Sequence, residues 1–298
     1  MRILILRYTD QPAVNICKNM AAYSKHGSII MDRNYSNLNG FDVVFYYNVN
    51  DIMKDDIYRR LKNSDQKICV GAQSWRLLLE PGWLEKFRVL NNVVGVCSPS
   101  KLILAEVIKQ VDKDLVYKWT PFSADTELFK ETQPIRLDGK LRVGYVGTFR
   151  EDKKYLEVVK PAFDALKDEI ELVIYGRAGG KKLPINRMCE AYNEMDCLVI
   201  GSKYESGPMV GLEAALCSRM TISTDCGFMK EAFDEKSAIF IDHSSDSLIA
   251  AIRKILNNRE FCVILGKNAY KRVKSIWNWE TLIKMQDDFF EAVYNEKD

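Results

Sequence analysis

The chain holds only two histidines, and none of its eight cysteines form a C-x-x-C pair. The ligand spacing of zinc sites is therefore missing. Glycine (16) and proline (8) are scarce among 298 residues, which excludes collagen-like and low-complexity classes. No stretch is apolar enough to span a bilayer, and the run opening MRILILRYTD is too short for a signal or anchor segment. A net charge of only +2 gives no global polybasic signature for nucleic acid. No G-x-x-x-x-G-K-[ST] occurs, which argues against a P-loop nucleotidase. No G-x-G-x-x-G follows a strand, which argues against a dinucleotide-dependent dehydrogenase. The glycine-rich GRAGG at Gly176–Gly180 is followed by Pro184 and opens no apolar helix.

What is present is an ordinary globular composition, 47% hydrophobic and 28% charged. Cys69, Cys97 and Cys197 lie inside apolar runs, where a small buried thiol is the default and a reducing cytoplasm fits best. Residues 1–130 carry more basic than acidic side chains. That bias suits an acidic acceptor or peripheral contact with an anionic, inner membrane surface, although ordinary scatter of surface charge is the simpler account. The basic run DDIYRRLKNSDQK is read in the same way.

Short β-rich apolar runs alternate with longer helical periods. Strands are predicted at Arg2–Leu6, Ser28–Met31, Asp42–Tyr47, Lys67–Gly71, Val93–Cys97 and Val116–Thr120. Helices are predicted at Ala13–Lys25, Asp55–Asn63, Trp83–Leu90 and Ser100–Gln110. This alternation predicts parallel β-α-β units in a doubly wound sheet. The polar stretch KETQPIRLDGK, with Pro134 and Gly139, reads as a linker. The pattern then restarts, with strands at Leu141–Val146, Glu171–Tyr175, Cys197–Ile200, Met220–Ser223 and Ala238–Ile241. Between them lie helices at Tyr155–Leu166, Arg187–Glu194, Pro208–Cys217 and Met229–Phe233, and two or three more follow from Ser245. The expected domains are 1–133, 134–275 and a terminal helix, 276–298, crossing back to the first domain. Trp277 and Trp279 are expected to pack there. Two such α/β domains, facing each other, would set a ligand cleft at the carboxyl ends of their strands.

The most informative segment is SKYESGPMVGLEAALC, Ser202–Cys217. It leaves an apolar strand and enters an apolar helix. Pro208 suits the first helical position, and Gly207 permits close backbone approach. The amides of Met209 and Val210 then stand at a helix N-terminus, where amides and dipole together suit a diphosphate. Glu205 precedes the turn. Glu213, among Val210, Leu212, Ala214, Ala215 and Leu216, must find donors or shift its pKa. Ribose hydroxyls would serve. The competing account is a solvated surface helix with an acidic start.

Glu205 and Glu213, separated by seven residues with Gly207-Pro208 in the turn, resemble the signature of glycosyltransferase family 4, retaining enzymes of GT-B fold. The resemblance extends through DCLVIGSKYESGPMVGLEAALCSRMTISTDCGFMKEAF, where Cys226-Gly227 and Glu231 take up a further glycine turn and glutamate. It includes VGYVGTFREDKKYLEVVKPAF and TPFSADTELFK, and covers about residues 93–290. The resemblance implies two Rossmann-like domains and transfer of a hexose-type sugar from a UDP- or GDP-sugar, with no metal and no cofactor. It implies that Glu213 binds the donor ribose and that Glu205 meets the sugar hydroxyls at the reacting face. Gly207, Pro208, Met209 and Val210 would contact sugar and phosphates. Lys153 stands at the family's lysine position. Thr148 replaces the usual arginine, with Arg150 two residues on. Gly176 and Arg177 would lie beside the nucleotide.

The first half departs from the family. Its first loop, RYTDQPAVN, lacks glycine, and VGAQSWR places Gln73 or Ser74 where relatives often have histidine. His26 and His243 read as helix-end or surface residues. These departures leave the acceptor open among glycan, glycolipid, protein and nucleic acid. They also support an alternative, a non-catalytic sugar-nucleotide binding or scaffold protein on the same fold.

Overall fold

Short runs such as VVFY at Val43–Tyr46 and CLVI at Cys197–Ile200 are buried along their whole length. Strands covered on both faces require parallel sheets flanked by helices, and the chain builds two of these. The computed structural model describes residues 1–7, 11–32, 37–62, 66–75, 78, 82–176 and 183–296. The chain divides into two units, Met1–Phe122 with Trp279–Asp298, and Ser123–Asn278.

The first unit contains β1 (Arg2–Arg7), β2 (Gly27–Asp32), β3 (Val43–Tyr46), β4 (Ile68–Gly71), β5 (Val93–Ser98) and β6 (Val116–Trp119). They pair in parallel in the order β2-β1-β3-β4-β5-β6. One turn of helix not expected from the sequence, Val49–Ile52, follows β3, its N-terminus capped by the Asn48 side chain on the Asn50 amide. The terminal helix Trp279–Asn295 belongs to this unit. Its Phe290 ring meets Phe45 at 5.4 Å, and its Asp287 carboxylate accepts from Ser24 Oγ at 2.5 Å and the Lys25 amide at 3.1 Å. Trp279 stacks on Tyr23, whereas Trp277 belongs to the second unit, where it meets Phe228 at 5.4 Å. His26 lies just past helix Gln11–Tyr23, with Nε2 3.1 Å from Glu291.

The second unit contains β7 (Leu141–Val146), β8 (Ile170–Tyr175), β9 (Cys197–Ile200), β10 (Met220–Thr224) and β11 (Ala238–Ile241). They pair in parallel in the order β11-β10-β9-β7-β8. At the amino ends of β7 and β9 sits fully buried Asp196. It takes Arg142 Nη2 at 2.6 Å, the Arg142 amide at 2.9 Å and Arg259 Nη2 at 3.2 Å. A buried charge held this fully pins the two central strands together.

Two further stretches differ from the sequence reading. The expected single helix Tyr155–Leu166 is a π-helical turn, Tyr155–Val159, running into an α-helix, Lys160–Ala165. Pro161 has no N–H to give the carbonyl four residues back and would clash with it. The wider turn ahead of it accommodates the defect. The stretch expected as a linker lies inside the second unit. The amides of Thr132 and Gln133 donate to Asn193 Oδ1, and Arg259 donates to the carbonyls of Arg136 and Gly139.

Candidate functional site

Strand order decides which loops meet. In the second sheet, β8 lies on one side of β7 while β9, β10 and β11 lie on the other. Loops leaving the carboxyl ends of β7 and β9 therefore diverge around a topological switch point, where open parallel sheets bind ligands. The loop after β7 carries Thr148, Arg150 and Lys153. The loop after β9 carries Ser202, Glu205, Gly207 and Pro208.

An ion pair joins these two loops. Lys153 Nζ bonds Glu205 Oε1, with side chains 19% and 18% exposed. The same carboxylate oxygen accepts from Ser202 Oγ at 3.0 Å. The Ser202 carbonyl in turn accepts from Thr224 Oγ1 at 2.6 Å and lies 3.2 Å from His243 Nε2. His243, though on the surface as expected, thus reaches the loop that holds Glu205. The backbone delivers Lys153 through a short 3-10 turn, Glu151–Lys153, closed by the Lys153 amide on the Arg150 carbonyl at 3.0 Å. Lys154 then adopts a left-handed φ of 51°. Arg150 opens the turn with its side chain exposed.

Gly176 follows β8 at φ +93°, and a Cβ there would stand 2.6 Å from the Gly147 carbonyl oxygen. Its place is fixed by this contact with the loop after β7, and only glycine fits. Arg177 lies outside the described residues. Gly227 plays the matching part beneath the signature turn. At φ +60° its Cβ would stand 2.7 Å from Pro208 Cδ and 3.2 Å from the Ser206 carbonyl. The turn Ser206–Pro208 rests directly on that glycine.

The signature helix spans Met209–Leu216, so Pro208 is its N-cap and not its first helical residue. The Pro208 carbonyl accepts from the Gly211 amide at 3.0 Å. A proline ring fixes the approach to the helix even from the cap, because φ is held at −73°. The first amides, of Met209 and Val210, have no carbonyl one turn back to bond. Both residues are half-buried.

Glu213 is buried, 7% exposed, on this helix. Tyr192 Oη donates to its Oε2 at 2.5 Å from helix Met188–Asn193. Burial pushes the Glu213 carboxyl from its ordinary 4.5 up to about 7, against the opposing pull of the Tyr192 hydrogen bond. Burial, followed by the Glu213 charge, also drives the Tyr192 hydroxyl well above its usual range. A carboxylate in this state gains from any further donor. Sequence reasoning found Glu213 but not Tyr192, Ser202 or Thr224. Tyr192 lies 21 residues from Glu213, and only the packing of two helices joins them.

Among the described residues, no group of three or more His, Cys, Asp or Glu side chains is placed to hold a metal ion. Among them also, no helix is long and apolar enough to cross a membrane.

Residues 182–272 match the family model described as glycosyl transferases group 1. No curated protein sequence is significantly similar to the chain. Solved structures are similar along the whole length. Sucrose-phosphate synthase from Thermosynechococcus elongatus superposes with a TM-score of 0.79 at 14% identity, covering 98% of each chain. HepE of Anabaena, in complex with UDP-glucose, superposes with a TM-score of 0.77 at 13% identity, covering 98% of this chain and 100% of its own. A glycosyltransferase from Rickettsia africae gives 0.75 at 11% identity, covering 99% of each. The fold is GT-B, two α/β domains with parallel sheets.

Proposed function

We propose that the chain is a retaining glycosyltransferase that moves a hexose-type sugar from a UDP-sugar to an acceptor, without a metal. The observation that carries this reading is the meeting of Lys153 and Glu205 at the switch point of the second sheet, beside the start of helix Met209–Leu216. The group 1 match over residues 182–272 supports the reaction class. The UDP and UDP-glucose bound by HepE support the choice of nucleotide.

Breaking a sugar–phosphate bond builds positive charge on the anomeric carbon and negative charge on the departing diphosphate. Lys153 and the Met209 and Val210 amides would stabilise that negative charge, and preorganised groups of this kind supply the largest catalytic effect in most enzymes. A bound diphosphate competes with Glu205 for Lys153 Nζ. Once Lys153 turns to phosphate, the Glu205 carboxylate is released toward the sugar hydroxyls while Ser202 Oγ keeps one oxygen oriented. Glu213 would accept from the ribose hydroxyls. Arg150 is positioned to add a second cation from the same loop, and Gly176 and Arg177 would border the nucleotide. Retention follows if the departing diphosphate takes the acceptor proton on the face that it leaves. The acceptor is sought on basic surfaces such as the last turn of helix Asp55–Lys62, with Arg59, Arg60 and Lys62. Peripheral membrane contact through the first unit, in a reducing cytoplasm, belongs to the same reading.

Lys153→Ala should weaken UDP binding about tenfold, the loss of one charge-assisted bond, by titration calorimetry. An unchanged Kd removes Lys153 from the site. A thermal-shift panel of nucleoside diphosphates tests the base, because a ligand that binds the native state raises its stability by mass action. UDP-sugar hydrolysis separates an enzyme from a pure binding protein, since the latter releases no UDP.

A further inference from the structure

Two cysteines outside the proposed chemistry stand together. Cys189 Sγ lies 3.8 Å from Cys217 Sγ. Of the eight cysteines, seven are buried and Cys189 alone is partly exposed. It sits at the start of helix Met188–Asn193, where its sulfur also contacts the Lys130 carbonyl at 3.3 Å and Asn193 Nδ2 at 3.5 Å. Cys217 caps the C-terminus of helix Met209–Leu216. A disulfide needs an S–S separation of about 2.05 Å, so the two sulfurs must close further from this contact distance. Fully buried Arg219 donates Nη1 to the Cys217 carbonyl at 2.9 Å, so a permanent positive charge borders the less accessible thiol. Burial and then the neighbouring Cys189 push that thiol upward by more than the Arg219 charge draws it down, and the Cys189 contribution ends once Cys189 enters a mixed disulfide.

We propose that Cys189 and Cys217 form a redox modification site, which a low-molecular-weight disulfide such as glutathione disulfide converts to an intramolecular disulfide. The Cys189 thiolate attacks one sulfur of the small disulfide. A Cys189 mixed disulfide forms, and one glutathione thiolate departs. Cys217 attacks the Cys189 sulfur and expels the second glutathione thiolate, which takes up the Cys217 proton as it leaves. The two protein thiols lose two electrons and two protons. The small disulfide gains both electrons and ends as two thiols. Exposure makes Cys189 the attacking residue and burial makes Cys217 the resolving one.

The cross-link would join the helix of Tyr192 to the helix of Glu213. The Cys217 amide bonds the Glu213 carbonyl at 3.2 Å, so drawing Cys217 toward Cys189 displaces Glu213 against Tyr192. The resulting effect on nucleotide binding rests on the donor-site reading, whereas the cross-link itself does not.

The test incubates the folded full-length chain with glutathione disulfide, alkylates it and maps its peptides by mass spectrometry. The native chain should lose two hydrogens and yield one Cys189–Cys217 linked peptide, reversed by dithiothreitol. Cys217→Ser should accumulate a single glutathione on Cys189, and Cys189→Ser should acquire neither. A stable glutathione on Cys189 of the native chain, a link between other cysteines, or no reaction overturns the proposal. The oxidised chain should bind UDP at least threefold more weakly than the reduced chain. Equal affinity overturns the coupling to Glu213. If the reduced chain binds no UDP, the donor-site reading fails, and the peptide map alone decides the modification site.

Discussion

Glu205→Ala is expected to slow sugar transfer by about two to three orders of magnitude, the range seen when one preorganised charge-stabilising group is removed, while UDP affinity changes by less than about threefold. The asymmetry follows from the ion pair. Glu205 holds Lys153 in an ion pair, so removing the carboxylate frees the cation for diphosphate and does not weaken that contact. What is lost is the acceptor for sugar hydroxyls beside the breaking bond, an interaction that matters in the transition state. Release of UDP from UDP-glucose in water gives the rate before an acceptor is known, and calorimetry gives Kd in parallel. Glu205→Gln keeps an oxygen for Ser202 Oγ but no charge, and should fall between the parent and Glu205→Ala. A Glu205→Ala chain that releases UDP at the parental rate would remove Glu205 from the reaction.

The signature was legible because it lies on one continuous strand-turn-helix. Apolar CLVI reads as a buried strand, Pro208 as the opening of a helix, and Glu213 inside an apolar helix as a carboxylate that must find donors or shift its pKa. The partners were not legible. Lys153 and Glu205 are 52 residues apart, and only the adjacency of β7 and β9, which no local pattern encodes, joins their loops. Tyr192 gave no signal for the same reason. Local rules also failed where two conformations share one period. The apolar spacing over Tyr155–Leu166 fits a helix of either width, and Pro161 decides between them through a missing donor. The polar stretch after Lys130 has linker composition, yet Asn193 and Arg259 bind its backbone and fold it into the second unit. Trp277 and Trp279, two residues apart, fall in different units because the division comes between them.

Affinity for UDP-glucose is expected to rise about tenfold between about pH 6 and about pH 8, as Glu213 loses its proton. The carboxyl is raised from 4.5 to about 7 by burial, so in the unliganded chain at mildly acidic pH it is mostly protonated. Ribose hydroxyls would donate to the ionised form, so binding selects the carboxylate and is weakened below the folded-state pKa. UDP-glucose is the better probe because its diphosphate carries no proton that titrates near neutrality, unlike the terminal phosphate of UDP. Fold stability should move the opposite way. The folded-state pKa lies above the unfolded one, so Glu213's contribution is complete below about pH 4.5, declines up to about pH 7 and is absent above it, amounting to about 3 kcal/mol. Glu213→Gln removes both trends. Its unliganded stability should hold level across that window while its UDP-glucose affinity stays low and independent of pH. Calorimetry and chemical denaturation at matched pH read the two slopes separately. If affinity in the parent chain were flat with pH, or if Glu213→Gln kept the parental slope, the nucleotide would not be held by this carboxylate.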